Sequence, residues 1–194
     1  MTWVENERGP RAPIGKVKSM VALALGIAAL TAPAAHAAGT GGVGDRTGTS
    51  PATTTPGSKA KLKNGFAVAP ADAPNKVKRA IEAANRIVKG KKYCLGGGHG
   101  RWESRCYDCS GTVSYVLGPK GAGVLKSPMP SGSFMRWGKR GKGKWITIYA
   151  NGGHMYAVIA GLRLDTSMTP GNGPGWSATK LHQRGFAIRH PRGL

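Results

Sequence analysis

Apolar residues recur with helical spacing in the segment between an Asp-Ala-Pro sequence at 72–74 and Gly90. The members of this pattern are Val77, Ile81, Ala84, Ile87 and Val88. Asp and Pro are common at helix starts, and Gly is common just after helix ends. The pattern therefore predicts one amphipathic helix whose basic and polar residues form a solvated face.

A second helical pattern follows Cys109. Its apolar residues are three and four positions apart, so they share one helix face: Val113, Val116 and Leu117. Asp108 and Ser110 carry short side chains with oxygen atoms, which cap the free N–H groups of a helix start. The sequence predicts a helix whose first turn holds Cys109.

The end of the chain has the pattern of β-strands. Its short segments are rich in β-branched and aromatic residues and are bounded by glycines: 145–150, 154–160, 162–165 and 186–189. The stretch 118–143 is basic and loop-rich, and its Phe134, Met135 and Trp137 are expected to pack inward. Helices followed by antiparallel strands predict an α+β domain in which the cysteine helix packs against the sheet.

The N-terminal segment is typical of an export signal. A basic stretch precedes an apolar run at 21–30, and Ala35-His36-Ala37 is a small-x-small cleavage sequence. We expect cleavage after Ala37. An uncleaved anchor or a buried helix is the alternative, but the run is short for a membrane span and Pro33 follows it. No later stretch is apolar enough to cross a bilayer, so no transmembrane anchor is expected after cleavage.

Three segments are predicted from composition. Residues 1–37 are the signal, and residues 38–70 form a disordered, basic linker that begins with Gly, Thr, Ser and Pro. Residues 71–194 form one folded domain, whose length is sufficient for its own core. The sequence shows no internal repeat.

The charge of the chain predicts an anionic partner. The sequence has 29 Lys and Arg against 8 Asp and Glu, for a net charge of +21. Such a field attracts nucleic acid, anionic lipid or a cell wall that bears phosphate and carboxylate groups. Because export is expected, anionic wall polymers are the favoured partner and a secreted or wall-associated location is favoured. The basic residues do not alternate with aromatics in a nucleic-acid motif, so no specific nucleic acid is expected.

Cys109 is the candidate nucleophile. Unpaired N–H groups and the positive dipole end at a helix N-terminus stabilise a thiolate, which is the reactive form. A cysteine nucleophile also needs a base and a group that orients the base. His182 and His190 lie in basic, polar surroundings and His99 in a glycine loop, whereas His154 begins an apolar strand. His154 is therefore the candidate base.

The expected turn at Ala160-Gly161 supplies a partner for His154. A two-residue turn would bring Asp165 opposite Tyr156, which makes Asp165 the diagonal neighbour of His154 on the same face. A three-residue turn would move Asp165 to the other face. Both residues also have a purely structural alternative. Asp165 could begin a turn, and His154 could make a polar contact in the core. Asn151 is the second candidate for orienting His154.

These residues together resemble a known family. Tyr93-Cys94-Leu95-Gly96-Gly97-Gly98, then Asp108-Cys109-Ser110-Gly111, then Gly153-His154 at the start of a strand are similar to the ordered signature of NlpC-type papain-like cysteine peptidases of bacterial cell walls. The similarity extends over about residues 75 to 190 and implies a papain-like fold.

The resemblance implies roles for individual residues. Cys109 is the nucleophile and His154 the base, while Tyr93, Ser110 and the Cys109 backbone N–H lie at the oxyanion or substrate side. Family members often have a histidine where this chain has Asp165, and usually a glycine-containing strand where this chain has His154-Met155-Tyr156-Ala157-Val158.

The three cysteines cannot all be paired within one exported chain. We expect a disulfide between Cys94 and Cys106, which leaves Cys109 free. Two alternatives remain open. Cys106 and Cys109 form a CxxC at a helix start, as in thiol–disulfide oxidoreductases, and the three cysteines with His99 equal the ligand number of a zinc site. The irregular spacing argues against zinc, and we expect neither a metal nor a cofactor.

The resemblance implies a secreted cysteine hydrolase that cleaves peptide bonds in peptidoglycan stem peptides as an endopeptidase, through Cys109, His154 and Asp165. An amidase that cuts between sugar and peptide is the near alternative. A catalytically silent, cationic module that binds the wall or nucleic acid is the alternative from another class.

Overall fold

The computed structural model describes residues 54–167 and 173–194. The expected export signal and residues 38–53 of the expected linker lie outside these residues. Within the described part of the chain, no helix is both long and apolar enough to cross a membrane.

A β-hairpin precedes the predicted domain start. Strands β1 (Lys61–Lys63) and β2 (Phe66–Val68) pair antiparallel around Asn64-Gly65. Both turn residues have positive φ, 52° and 82°, as a two-residue hairpin turn requires. The Asn85 side chain accepts from the Ala67 N–H at 3.1 Å and donates to the Ala67 carbonyl at 2.8 Å. Residues 54–70 therefore belong to the fold, and their assignment to a disordered linker is wrong.

The two predicted helices are present. Helix α1 (Asn75–Ile87) buries the predicted apolar positions and leaves its basic face in solvent. Helix α2 (Cys109–Leu117) is buried along its whole length, as expected of a helix inside a core. A single-turn helix, α3 (Ser131–Phe134), lies in the stretch predicted to be loop and buries Phe134 completely. Helix α2 packs between α1 and the sheet.

A six-stranded antiparallel sheet forms the other layer, with strand order β3-β8-β4-β5-β6-β7. The strands are β3 (Lys139–Arg140), β4 (Ile146–Ala150), β5 (Met155–Ile159), β6 (Leu162–Asp165), β7 (Gly175–Ser177) and β8 (Ala187–His190). The short strands β3 and β7 were not predicted. Four strands match the predicted segments to within two residues, and the predicted α+β class is confirmed.

Residues alternate between the two faces of the sheet. Ile148, Ala157 and Leu164 are completely buried in the core shared with the helices. Tyr149, Tyr156 and Arg163 occupy the other face, which we call the outer face. Helix α2 contacts β5 more extensively than any other strand, and β5 begins directly after the candidate base, His154.

The turn between β5 and β6 has the predicted length. Ile159 pairs with Leu162 and Ala157 pairs with Leu164, so only Ala160 and Gly161 connect the strands. Both connecting residues have positive φ, 47° and 92°. Continuing this register by one position brings Asp165 opposite Tyr156.

Candidate active site

Cys109 is the first residue of α2 and is a free, buried thiol. Asp108 caps the helix, because its Oδ1 accepts from the Gly111 N–H at 2.6 Å. The sulfur therefore lies at the helix end where backbone N–H groups and the helix dipole favour negative charge.

His154 connects the thiol to a carboxylate. Its Nε2 lies 3.0 Å from Asp165 Oδ1, and its ring also hydrogen-bonds with the Cys109 side chain. Because Nε2 is directed to Asp165, Nδ1 is the nitrogen left for the sulfur. The structure thus brings together all three residues that were predicted to be catalytic.

The backbone of His154 is held by the turn before β5. Asn151 Oδ1 accepts from the N–H groups of Gly153 at 2.9 Å and His154 at 2.8 Å. The Asn151 side chain thus fixes the position of the His154 backbone, whereas Asp165 contacts the ring. Asn151 is therefore a positioning residue and does not replace Asp165 as the group that orients the imidazole.

Asp165 is only 1% exposed and is held from several directions. Its Oδ1 accepts from the Thr166 N–H at 2.7 Å, and its Oδ2 accepts from the Ser167 hydroxyl at 2.9 Å. Arg163 Nε lies 3.8 Å from Oδ2. These donors fix the carboxylate so that one oxygen faces the imidazole.

The contacts favour a charged imidazole. The hydrogen bond to Asp165 and then the one to Cys109 raise the pKa of His154 to about 9, although burial acts in the opposite direction. Burial would raise the pKa of Asp165, but the hydrogen bonds from His154 and Ser167 and the charge of His154 lower it overall. At neutral pH the pair therefore consists of an imidazolium and a carboxylate, with the sulfur beside the imidazolium.

Tyr93 directly precedes Cys94 of the disulfide and is 39% exposed. Burial raises the pKa of its hydroxyl, and the negative charges of Cys109 and Asp108 raise it further. A protonated phenol in this position can donate a hydrogen bond to an oxygen that forms next to Cys109.

Cys94 and Cys106 form a disulfide, with 5.6 Å between their Cα atoms. Cys106 is therefore paired with Cys94 and not with Cys109, contrary to the CxxC alternative. The disulfide also removes two of the four ligands considered for zinc. Among residues 54–167 and 173–194, no group of three or more His, Cys, Asp or Glu side chains is arranged to hold a metal ion.

Asp108 connects the disulfide loop to α2. Its Oδ2 accepts from the Gly96 N–H at 3.0 Å, while Oδ1 faces His99 Nε2 at 3.1 Å. The Ser110 hydroxyl donates to Asp108 Oδ1 at 3.0 Å and lies 2.9 Å from His99 Nε2. Ser110 is 3% exposed, so its hydroxyl supports this cluster instead of facing a substrate, unlike the predicted role.

Glycines allow the loop to approach the helix closely. A Cβ atom at Gly111 would lie 1.9 Å from the Gly97 carbonyl oxygen, and one at Gly97 would lie 2.5 Å from the Cys94 sulfur. Only glycine therefore fits at position 97 and at position 111. Sequence reasoning missed the contact of Asp108 with His99, because only the closed loop brings these residues together.

Nine chains in solved structures are similar to this chain, among them the following three. The peptidoglycan hydrolase RipB from Mycobacterium tuberculosis matches with a TM-score of 0.46 and 22% identity, over 61% of this chain and 68% of RipB. The resuscitation promoting factor interacting protein RipA matches with a TM-score of 0.43 and 20% identity, over 68% of this chain and 72% of RipA.

The third structure is the P60 domain of an antigen from M. avium subspecies paratuberculosis. It matches with a TM-score of 0.39 and 20% identity, over 59% of this chain and 93% of the domain. No family model and no curated protein matches the sequence.

Proposed function

We propose that the chain is an exported NlpC-type cysteine hydrolase that cleaves peptide bonds in peptidoglycan stem peptides through Cys109, His154 and Asp165. The observation that carries the proposal is the contact of one imidazole with a helix-terminal thiol on one side and a buried carboxylate on the other. This arrangement places a nucleophilic sulfur beside a proton donor, as nucleophilic catalysis requires.

In the first half of the reaction, the Cys109 sulfur attacks the carbonyl carbon of the scissile bond. His154 then gives its proton to the leaving amine, and a thioester remains on Cys109. In the second half, His154 takes a proton from water as the water attacks the thioester, which releases the acid and restores the thiolate. Asp165 stabilises the imidazolium in both halves, because it keeps a negative charge 3.0 Å from Nε2.

Two donors are available for the oxyanion that forms during each attack. The backbone N–H of Cys109 is at the N-terminus of α2, and exposed Tyr93 has a hydroxyl whose pKa is raised by burial and then by the charges of Cys109 and Asp108. Donors that are already oriented stabilise a developing negative charge at little reorganisation cost. We assign the Tyr93 hydroxyl to this role.

Three features of the chain support the proposed substrate and the proposed location at the cell wall. The ordered motifs around Cys109 and His154 resemble those of wall peptidases. A disulfide between Cys94 and Cys106 is typical of an oxidising, extracellular compartment. The net charge, +21 for the whole sequence and +19 once residues 1–37 are removed, favours retention at an anionic wall.

Purified protein incubated with cell-wall sacculi tests the proposal. Mass spectrometry of the released fragments should find new amino termini within the stem peptide. A new amino terminus on the first residue of the stem, with the sugar-linked carboxyl freed, would instead indicate the amidase.

Cys109→Ala and His154→Ala should each abolish release while binding to the wall persists, because the binding charge is spread over many Lys and Arg side chains. Exposed His182 supplies the matched control, and His182→Ala should leave release unchanged. If the unmodified protein binds sacculi of several wall chemistries but releases nothing, the hydrolase assignment is wrong and the chain is a binding module.

A further inference from the structure

The outer face of the sheet carries a cavity that the proposed reaction does not use. It has a volume of about 370 Å³, within the usual range for small-molecule sites. The sheet contributes residues from β4, β5 and β6, while the segment 178–183 and the stretches around Lys59 and Lys142 form its walls. We call it the outer-face cavity.

The lining of the outer-face cavity is strongly positive. Four cationic side chains line it: Lys59, Lys142, Arg163 and Lys180. Among the described residues that line it, none is Asp or Glu. Because these cations come from four separate stretches of the chain, the fold itself gathers them around one cavity. A cavity with this lining attracts a multiply charged anion.

Arg163 gives the cavity a fixed, buried donor. The residue is 7% exposed, lines the cavity, and is anchored by its Nε at 3.8 Å from Asp165 Oδ2. A guanidinium presents a planar set of donors that suits the oxygens of a phosphate. Lysines at the rim add charge without fixed geometry. One buried arginine and several exposed lysines together suit the binding of an oxyanion.

The tyrosines of the cavity favour an anion over a sugar or a base. Tyr149 and Tyr156 stack with their ring centroids 4.7 Å apart, and Phe186 packs against Tyr156 at 5.3 Å. Because Tyr156 already contacts two aromatic rings, the pair has little free ring surface for further stacking. Burial raises the pKa of both hydroxyls, that of Tyr156 to about 12, so both remain hydrogen-bond donors at neutral pH.

We propose that the outer-face cavity is a binding site for a phosphate group, supplied either by a phosphodiester polymer or by a small phosphorylated molecule. Arg163 and the two tyrosine hydroxyls hold the phosphate oxygens, while Lys142 and Lys180 neutralise its charge. The lining does not include Cys109, His154 or Asp165, although Arg163 contacts Asp165 from the cavity side, and occupation of the cavity does not depend on hydrolysis.

Calorimetric titration of the full chain tests the site with three probes: inorganic phosphate, poly(glycerol phosphate) and polyglutamate. The Cys109→Ala form is used so that no hydrolysis occurs. The double variant Lys142→Gln/Lys180→Gln removes two cavity charges. The control Lys76→Gln/Lys126→Gln removes two exposed charges outside the cavity, so both proteins have the same net charge.

We expect the cavity variant to bind phosphate up to about 25-fold more weakly, at up to about five-fold for each lysine, and the control to bind as the parent does. Tyr149→Phe, which keeps the ring stack, should also weaken binding. Binding of poly(glycerol phosphate) with the same sensitivity supports a polymer as the source. Binding of inorganic phosphate alone supports a small phosphorylated molecule.

Three outcomes would overturn the proposal. The cavity and control variants could lose the same affinity, which would mean that only overall charge matters. Polyglutamate could bind as tightly as the phosphate probes, which would remove the preference for phosphate. Finally, all three probes could fail to bind at moderate salt, which would mean that the cavity is not an anion site. Circular dichroism and thermal unfolding of each variant check that any loss of binding does not come from loss of the fold.

Discussion

The substitution Asp165→Asn tests how much of the His154 charge depends on the neighbouring carboxylate. The contacts of His154 raise its pKa from 6.5 to about 9, and the hydrogen bond to Asp165 is the largest cause. A shift of this size corresponds to about 3 kcal/mol, which Asp165 shares with Cys109. Asparagine keeps a similar shape but has no charge. The variant should therefore lose about half of the free energy that stabilises the charged imidazole, on the order of 1–2 kcal/mol.

Two changes in activity should follow. The kcat/KM for a soluble stem peptide should fall by about ten-fold or more, because the imidazolium is less stable in the transition state. The alkaline limb of the kcat/KM profile should also move to lower pH, since His154 would lose its proton more readily. Activity is measured from pH 5 to 10, and a circular dichroism spectrum verifies the fold.

The same substitution changes how stability depends on pH. Because the pKa of His154 is raised in the folded protein, its contribution to the free energy of unfolding is complete below pH 6.5 and disappears as pH rises through about 9. The parent protein should therefore lose about 2–3 kcal/mol of this contribution across that interval, and Asp165→Asn should lose less.

Exposed Asp72 provides the matched control, and Asp72→Asn should change neither profile. If Asp165→Asn folds normally and keeps both the parental rate and the parental alkaline limb, Asp165 does not stabilise the imidazolium and the reasoning is refuted.

Three further predictions concern the cysteines, the helix cap and the hairpin. Under non-reducing conditions only Cys109 should react with an alkylating reagent, and peptide mapping should recover Cys94 linked to Cys106; a peptide linking Cys106 to Cys109 would support redox chemistry instead. Asp108→Ala should lower the free energy of unfolding by about 2 kcal/mol in denaturant titrations and should also reduce activity. The reason is that the substitution removes the cap of α2 and the anchor of the disulfide loop together. Normal stability of the variant would contradict the central role of this carboxylate. Asn85→Ala should lower the free energy of unfolding by about 1–3 kcal/mol and make residues 61–68 accessible to limited proteolysis, because the Ala67 N–H and carbonyl lose their partner. Unchanged cleavage would show that the hairpin does not depend on this side chain.

The sequence was sufficient for those parts of the site that depend on local pattern. The spacing of Val113, Val116 and Leu117 predicted the helix, and the helix start predicted where the Cys109 thiol lies. If Ala160-Gly161 formed a two-residue turn, the period of a strand related Asp165 to His154, and the structure has this turn length. Each of these steps uses residues within a dozen positions of one another.

The sequence signal for the hairpin at 61–68 was present but was overlooked. Asn64-Gly65 is a strong two-residue turn sequence, yet the surrounding lysines and the polar segment before them led to its assignment as linker. The strand is stabilised from outside by Asn85, which in turn accepts from the Trp176 indole at 2.9 Å. Such a contact across 91 positions has no local sequence pattern.

The contacts of Ser110 and His99 could not be predicted for a similar reason. The fold brings His99 to α2 only after the loop closes, and closure requires the disulfide and the two glycines that permit close backbone approach. Strand β7 is equally non-local, because its three residues are defined only by pairing with β6. These features depend on tertiary contacts and not on the pattern of a single segment.

The thiol and its base come from different layers of the fold. Cys109 belongs to a unit made of α2 and the disulfide loop, whereas His154 and Asp165 belong to the sheet. Neither layer alone contains the pair, so a chain whose helices and strands have formed but have not docked has no working site. Any condition that keeps the helices and the sheet apart should therefore abolish activity even where each layer keeps its secondary structure.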